Sequence, residues 1–511
     1  MKYRNPIIPG YHPDPSICRV GEDFYLVNST FEFFPGVPIF HSRNLANWEQ
    51  IGYVLDRRSQ LELEGCRNSG GIYAPTILYH EGMFYMITTN VTWKGNFVVH
   101  SEKPEGPWSE PMWIDQNGID PSLFWDDDGT CYYCSTGTND GLRGIWAFAI
   151  DPMTGERLSE KYMISTGCGG PCTEGPHIYK VKGKYYLMCA EGGTEYQHHE
   201  VILRSDRVFG PYEPCPRPQG AILSHAALKH YPIQATGHAD LVEDQNGNWW
   251  AVFLGIRNFS HALLHNLGRE TFLAPVTWTQ DGWPIIGEDG VAALEMDAPL
   301  PAPALPVNHD VHCDFSKDEI PVCFEYTRNP NPACYTRDRA AGALTLTGTD
   351  TLLSQPACAP TMLSVQQPEF CTHTEAVLDL ASNAVRAGIS AFYNNDYHYD
   401  IYILNELNRK YIGFTKAIHD MTVEIARVPA PVSGRVKLMI DSDREGYVFS
   451  MQEEGLEPVV LGSGTNAGLS TEGTKTMTFT GTMMAMFAEQ GKGIFYNFHM
   501  EVRPDKVGFT G

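Results

Sequence analysis

Three acidic residues stand at the start of a segment that the sequence repeats. Asp14 lies in HPDPS, Asp120 in GIDPS and Glu174 in CTEGPH. Two carboxyl groups on either side of a bond can divide acid–base chemistry, because one donates a proton while the other activates water or attacks carbon. A single Asp-Pro-Ser is more often a turn, but burying several like charges without a function is costly. The set therefore predicts an acid–base site.

The repeated segment must position these carboxylates. Each of its five copies has a polar or small residue, an apolar pair, a turn with Gly or Asp, and an aromatic pair that begins an apolar strand. Copies recur about every 50 residues, a period typical of β-propeller blades. In the fourth copy Pro176 comes one position late, which we interpret as a local one-residue shift. The predicted ring of leading residues is Asp14, Ala74, Asp120, Glu174 and His238.

The rest of the chain predicts a second all-β unit. A Pro-rich stretch at 296–310 reads as a linker. From 311 to 511, runs of alternating apolar and polar residues such as ALTLTG and YHYDIYIL are separated by turns, which favours a β-sandwich of concanavalin A-like or jelly-roll type. We therefore expect an all-β protein with a five-bladed β-propeller at 1–295, the linker, and the sandwich.

Cleavage of a glycosidic bond would give the three carboxylates distinct roles. Prolines on both sides fix the backbone of Asp14, which suits a general base. Glu174 has the longer arm, which suits a general acid reaching a leaving group, and neighbouring anions would raise its pKa. Asp120 would then tune that acid and hold the substrate.

Other candidate site residues each have a functional and a structural interpretation. Arg269 in LGRETF would pair with the carboxylates or grip sugar hydroxyls, and an unrelated salt bridge is equally compatible with its position. His238 would face the central channel or be a hydrogen-bonded core histidine. Phe31 and Tyr73 would be sugar platforms, although aromatic clusters are more often core. The pair at 198–199, two histidines, has no matching ligand partner and is predicted at the surface.

Composition excludes several functions. The formal net charge is −24, from 61 acidic and 37 basic residues, so the surface repels nucleic acid and anionic lipid. The first residues form no apolar signal segment, and there is no run of eighteen apolar residues, so we expect a cytoplasmic protein without a membrane partner. The 13 scattered cysteines favour reduced thiols.

The motifs NPIIPGYHPDPSICRVGEDFYLVNSTFEFFPGVPIFHSRNLANWEQIG, SGGIYAPTI, GIDPSLFWDDDG, TEGPHIYK, AEGGTEY, GHADLVED and LGRETF carry a resemblance. The sequence resembles glycoside hydrolase family 43, specifically its β-xylosidase and α-L-arabinofuranosidase members with a C-terminal β-sandwich. The resemblance implies an inverting enzyme with a five-bladed propeller. It also implies Asp14 as base, Asp120 as acid modulator and Glu174 as acid, and it implies a set of substrate contacts: Phe31, Thr194, His238 and Arg269.

The resemblance extends to details of the pocket. No cofactor is required, and a calcium ion near His238 is compatible with some relatives. Tyr73 stands where xylosidase relatives have Trp, and Thr76 stands where they have His, so the choice between xylose and arabinose stays open. Ala74 would complete the ring, and an aromatic from the sandwich would close the pocket, with Phe495 as the nearest candidate.

These observations together predict an exo-acting β-1,4-xylosidase that releases xylose from xylo-oligosaccharides. An α-L-arabinofuranosidase, or an enzyme with both activities, is the close alternative, since both sugars present similar hydroxyl patterns. A non-catalytic carbohydrate-binding propeller would lack one ring carboxylate, and none is missing. A serine hydrolase is disfavoured without a G-x-S-x-G turn. The expected partner is a small carbohydrate, and self-association into a homo-oligomer stays open.

Overall fold

The computed structural model describes residues 1–259, 263–317, 319–432, 434–474 and 478–505. The end of the predicted sandwich, 506–511, lies outside these residues. The regular structure is almost entirely β-strand, so the expected all-β class is confirmed. The helices in the described ranges are short 3₁₀ turns: Pro218–Gly220, Pro332–Cys334, Asn466–Leu469 and Thr471–Gly473. Among these residues no helix has the length and apolar character needed to cross a membrane.

The described residues of the N-terminal part form 25 strands. They are β1 (Lys2–Arg4), β2 (Ser16–Val20), β3 (Asp23–Val27), β4 (Phe33–Phe34), β5 (Gly36–Ser42), β6 (Glu49–Leu55), β7 (Thr76–His80), β8 (Met83–Asn90), β9 (Gly95–Ser101), β10 (Met112–Trp113), β11 (Ile119–Trp125), β12 (Cys131–Asn139), β13 (Leu142–Asp151), β14 (Glu156–Arg157), β15 (Tyr162–Ser165), β16 (Glu174–Val181), β17 (Lys184–Glu191), β18 (His199–Ser205), β19 (Glu213–Pro214), β20 (Ala221–Ser224), β21 (Ile233–Glu243), β22 (Trp249–Arg257), β23 (Glu270–Trp278), β24 (Pro284–Ile286) and β25 (Glu295–Asp297).

Most of these strands form five antiparallel sheets of four or five strands, each built from strands close together in the chain. The sheets are β2-β3-β5-β6, β7-β8-β9-β10, β11-β12-β13-β14 with β15 on β13, β16-β17-β18-β19 with β20 on β18, and β21-β22-β23-β24. Their first strands contact one another in a closed cycle, from β2 through β7, β11 and β16 to β21 and back to β2. The start of every repeat is thereby brought near one axis.

Each repeat folds as a hairpin in which the second aromatic faces a residue of the first strand. These pairs are Cys18 with Tyr25, Leu78 with Tyr85, Phe124 with Tyr132, Tyr179 with Tyr186, and Val242 with Trp250. Four residues before each first-strand partner stand Asp14, Ala74, Asp120, Gly175 and His238. The ring position in the fourth copy is therefore Gly175, and Glu174 lies one residue earlier, equivalent to Tyr73. The prediction that the three carboxylates occupy matched positions is wrong for Glu174, because the one-residue shift moves the leading residue itself.

The C-terminal part contributes fifteen further strands to the described structure. They are β26 (Val311–Asp314), β27 (Tyr326–Thr327), β28 (Tyr335–Asp338), β29 (Ala343–Gly348), β30 (Met362–Gln366), β31 (Thr372–Asp379), β32 (Arg386–Asn394), β33 (Tyr397–Glu406), β34 (Arg409–Ile418), β35 (Met421–Pro429), β36 (Arg435–Ser442), β37 (Gly446–Glu453), β38 (Val459–Thr465), β39 (Met483–Glu489) and β40 (Gly491–Val502).

Two of the C-terminal sheets enclose an apolar core. One has the order β28-β29-β40-β31-β36-β37-β38, with β26 on β40, and the other has the order β30-β39-β32-β33-β34-β35. Alternating residues of both sheets point inward, among them Leu438 and Phe449 of the first and Phe414 of the second. This arrangement is the expected sandwich, in which each sheet covers the apolar face of the other.

The sandwich is joined to the N-terminal sheets beside the first repeat. Strand β27 pairs with β4, and the Arg328 backbone N–H donates to the Glu32 carbonyl at 2.7 Å. The fully buried Arg328 guanidinium donates to four oxygens: Cys66 O, Asn68 Oδ1, Cys358 O and Asn395 Oδ1. Because these acceptors belong to both parts of the chain, Arg328 fixes the sandwich against the loop between β6 and β7.

Replacing Arg328 should weaken this junction. We expect Arg328→Met to lower the free energy of unfolding by about 3 kcal/mol or more, since four buried acceptors lose their donor. Arg409→Met, at an exposed position on β34, should change it by less than about 0.5 kcal/mol. Urea denaturation of both variants checks this, and equal midpoints for the two would contradict the role of Arg328.

Candidate active site

The predicted site residues meet in one cavity of about 190 Å³, where the first strands of the five sheets begin. The cavity is lined by all of the predicted residues except Phe495: Asp14, Phe31, Tyr73, Ala74, Asp120, Glu174, Thr194, His238 and Arg269. The chain also places Ile119, His198 and Phe479 on its wall. Residues more than 200 positions apart in sequence thus share one small volume.

The backbone at the cavity has an unusual conformation that recurs around the ring. Asp14, Asp120 and His238 have φ values of 52°, 55° and 51°, and Gly175 has φ +57°. L-residues rarely adopt this left-handed region, and such conformations concentrate at functional sites. The register of β11, β16 and β21 with their partners shifts at the same places. These irregularities interrupt the pleat and turn the side chains toward the cavity.

Asp14 is buried but held in its charged form. Its Oδ2 accepts from the Ser29 hydroxyl at 2.5 Å, and its Oδ1 accepts from Arg269 Nη1 at 3.1 Å. Burial acts to raise the pKa of Asp14, but the Arg269 guanidinium, His238 and the Ser29 hydrogen bond together bring that pKa below its usual value. Asp14 is therefore an ionised carboxylate at neutral pH.

At neutral pH the positive charge beside Asp14 is that of Arg269, because the contribution of His238 to the lowered pKa of Asp14 requires a protonated ring. His238 Nδ1 lies 3.7 Å from Asp14 Oδ1, but burial lowers the pKa of His238 to about 4, so its ring is neutral at pH 7. Arg269 Nη1 also donates to Thr194 Oγ1 at 2.8 Å. Its Nη2 donates to the Phe479 carbonyl at 3.4 Å, and since all three acceptors line the cavity, the salt bridge of Arg269 belongs to the cavity wall.

Asp120 and Glu174 differ from Asp14, because their pKa values are raised and that of Asp14 is lowered. Burial and the neighbouring carboxylates Glu174 and Asp14 raise the pKa of Asp120 well above its usual value. Burial and Asp14 also raise the pKa of Glu174, although Arg143, which donates to Glu174 Oε1 at 2.9 Å, acts to lower it. Since two neighbouring carboxylates resist ionising together, this pair holds its last proton to a higher pH than an isolated carboxyl group would.

Glycine at position 175 is required by the packing behind these carboxylates. The Gly175 N–H donates to Asp120 Oδ2 at 3.3 Å. A Cβ on this residue would lie 2.9 Å from Nε2 of the His238 ring, closer than real contacts permit. The missing side chain thus lets the backbone reach Asp120 and lets His238 pack against it.

Aromatic rings form the other wall of the cavity. The ring centroids of Phe31, Tyr73 and Phe479 lie 5.4–5.9 Å apart. The Phe479 N–H donates to Ser69 Oγ at 2.9 Å, which anchors this C-terminal segment beside the pocket. The sandwich therefore does supply an aromatic to the cavity.

That aromatic is Phe479, so the prediction of Phe495 is wrong. Phe495 is fully buried on β40, where it pairs with Leu344 and Leu378 inside the sandwich core. A residue in the alternating pattern of a central strand points into its own core. Phe479 instead precedes β39, in TFTG, where no local sequence pattern distinguishes it from other aromatics.

The two adjacent histidines are also not at the surface as expected. His198 and His199 are 4% and 6% exposed, and His198 lines the cavity. His198 Nδ1 donates to the Ala235 carbonyl at 3.2 Å. Gly237 makes room for the ring, because a Cβ there would lie 2.7 Å from it. The sequence motif contained no partner pattern from which this placement could be predicted.

The donors around His238 do not fit a calcium ion held by protein ligands. Calcium prefers six to eight oxygen ligands, whereas the Asp14 carboxylate beside His238 is already bonded to Arg269 and Ser29. The described residues contain no cluster of three or more His, Cys, Asp or Glu side chains suited to a metal.

The close contact at Gly175 can be tested against a matched glycine. Gly183 also has positive φ (+78°), but a Cβ there meets nothing within 4 Å. We expect Gly183→Ala to cost about 1 kcal/mol of stability from backbone strain, and Gly175→Ala to cost about 2–3 kcal/mol because it also displaces His238. Equal denaturation midpoints for the two variants would show that no such contact exists.

Comparisons with known proteins show the family of this chain. The family model for glycosyl hydrolases family 43 matches residues 3–284, and the beta xylosidase C-terminal concanavalin A-like domain matches residues 312–499. The chain is 39% identical over 502 residues to a non-reducing end alpha-L-arabinofuranosidase of Bacteroides ovatus, with 95% of this chain and 91% of that protein covered.

Two further relatives cover different shares of the chain. A xylosidase/arabinosidase of Butyrivibrio fibrisolvens is 50% identical over 311 residues, with 58% of this chain and 59% of that protein covered. The crystal structure of a xylan beta-1,4-xylosidase of Bacillus halodurans superposes with a TM-score of 0.90 at 31% identity, with 98% and 100% covered. The chain therefore belongs to glycoside hydrolase family 43 and is a glycoside hydrolase of the inverting kind.

Proposed function

We propose that the five N-terminal sheets are the blades of a five-bladed β-propeller that forms a catalytic domain at 1–295. The closed cycle of first strands and the fivefold sequence repeat support this arrangement. The segment 296–310 would then be the linker, since β25 ends at Asp297 and no strand follows before β26 in this described stretch. Residues 311–511 would form the accessory sandwich domain.

The reaction that fits the cavity is inverting hydrolysis of a glycosidic bond. The observation that carries it is the convergence of three carboxylates on one small cavity, in which Arg269 bonds to Asp14 alone among them. Asp14, held ionised by Arg269, would take a proton from the water that attacks the anomeric carbon. Glu174 would donate the proton of the carboxylate pair to the leaving oxygen, and Asp120 would keep that proton available.

The size of the cavity favours attack on a chain end. At about 190 Å³ it is smaller than the roughly 300–1,000 Å³ of sites for drug-sized ligands. One sugar ring can be enclosed by the aromatic wall while the leaving group stays outside. Arg269, Thr194 and His238 would contact its hydroxyls, and Phe31 and Tyr73 would cover an apolar face.

Xylose is the sugar we propose, released from xylo-oligosaccharides as a step in the breakdown of xylan. The relative that is 50% identical is named a xylosidase/arabinosidase, and the superposed Bacillus halodurans protein is a xylan beta-1,4-xylosidase. A second candidate is α-L-arabinofuranosidase activity, alone or beside the first. It is favoured by the name of the Bacteroides ovatus relative, which aligns with 95% of the chain.

Kinetics on matched aryl glycosides distinguish the two sugars. We expect kcat/KM for 4-nitrophenyl β-D-xylopyranoside to exceed that for the α-L-arabinofuranoside, and xylobiose to be cleaved. Glu174→Gln should lower turnover of xylobiose by about 10²–10⁴-fold, because general acid catalysis contributes that much. A large preference for the arabinoside would replace xylosidase by the second candidate, and normal xylobiose turnover by the variant would exclude Glu174 as the acid.

A further inference from the structure

One ion pair at the cavity is not explained by the reaction described so far. Arg143 Nη2 donates to Glu174 Oε1 at 2.9 Å. The Arg143 side chain is 63% exposed, whereas that of Glu174 is 27% exposed. Arg143 does not line the cavity, so it approaches the carboxyl group from the solvent side.

The position of Arg143 follows from the third sheet. It is the second residue of β13, opposite Thr138 of β12, directly after the hairpin turn at 140–141. This hairpin lies at the end of the sheet where Asp120 and Glu174 begin their strands, because β11 and β12 run antiparallel. Arg143 is thus a rim residue, held by a short turn and a strand.

Stability alone gives little reason for this pair. Ion pairs between exposed side chains contribute about 0–1 kcal/mol. In addition, a permanent positive charge favours the ionised form of Glu174, although a general acid must carry a proton. The contact with Arg143 opposes protonation of Glu174. Such a contact is easier to understand if Arg143 also binds a second group during the reaction.

The geometry of acid catalysis identifies that partner. The acid must reach the oxygen that joins the enclosed sugar to its leaving group. Whatever touches the acid from the side opposite the cavity therefore lies next to the leaving group. Among the described residues the Arg143 guanidinium makes no other side-chain hydrogen bond, so its remaining N–H groups are available to sugar hydroxyls.

From this juxtaposition we propose that Arg143 binds the hydroxyls of the leaving-group sugar and positions the Glu174 carboxyl toward the glycosidic oxygen. This inference rests on the proposed function, and it concerns a subsite outside the cavity. Arg143 is a positioning residue for the acid and a binding residue for the sugar that departs. It would favour glycosides with a sugar leaving group over aryl glycosides, which offer no such hydroxyls.

The test compares two substrates over a range of pH. For the pentose that the wild-type protein prefers, kcat/KM is measured on a disaccharide and on the 4-nitrophenyl glycoside with wild type, Arg143→Ala and Arg143→Lys. We expect Arg143→Ala to lose at least about tenfold more on the disaccharide than on the aryl glycoside. Its alkaline limb should move to higher pH, because removal of a positive neighbour raises the pKa of Glu174. Arg143→Lys should restore part of both effects.

A matched control is Arg157→Ala on the neighbouring strand β14. Arg157 donates to the Ser159 carbonyl near the other end of β13, away from Glu174, and its variant should keep wild-type kinetics on both substrates. Equal losses on both substrates, or a shifted limb without a disaccharide-specific loss, would overturn the role of Arg143. A wild-type protein that cleaves no pentoside would overturn the proposed function, and this inference with it.

Discussion

The active site depends on an imbalance of buried charge. Three carboxylates surround one small cavity, and the one guanidinium on the described cavity wall is that of Arg269. Arg269 bonds directly to Asp14, so that carboxylate keeps its charge. Burial and the carboxylates of Glu174 and Asp14 raise the pKa of Asp120, while burial and Asp14 raise the pKa of Glu174 against the opposing effect of Arg143. The carboxyl groups of one cavity therefore differ in how readily they ionise, because the guanidinium on the cavity wall bonds to Asp14 and not to the other two.

The fivefold repeat brings the carboxylates to one cavity, and local departures from the repeat give them different surroundings. The repeat brings equivalent strand starts together, but each ring position carries a different residue, and the left-handed backbone at Asp14, Asp120 and His238 directs those side chains inward. In the fourth sheet the ring position is Gly175, which has no side chain, and Glu174, one residue earlier, supplies the carboxylate that lines the cavity. The sandwich completes the cavity through Phe479, and the buried Arg328 joins the two parts of the chain by hydrogen bonds to both.

Much of this site could be predicted from sequence because the repeat is visible in residue types. The convergence of Asp14 and Asp120 followed from their similar spacing to the second aromatic, at 11 and 12 residues. The exact register of Glu174 did not, because the extra residue lies within the hairpin in the third and fifth copies but before the hairpin in the fourth, and spacing alone does not distinguish the two. Phe479 and His198 were missed because their positions depend on contacts with distant segments, at Ser69 and Ala235, which no local pattern records.

The proton shared by Asp120 and Glu174 is the central claim, and the pH dependence of kcat/KM for Asp120→Asn tests it most directly. If the Asp120 charge keeps the proton on Glu174, its removal lowers the pKa of the acid, and the alkaline limb should move to lower pH by at least about one unit. An alkaline limb that stays in place, or that moves to higher pH, would contradict the account.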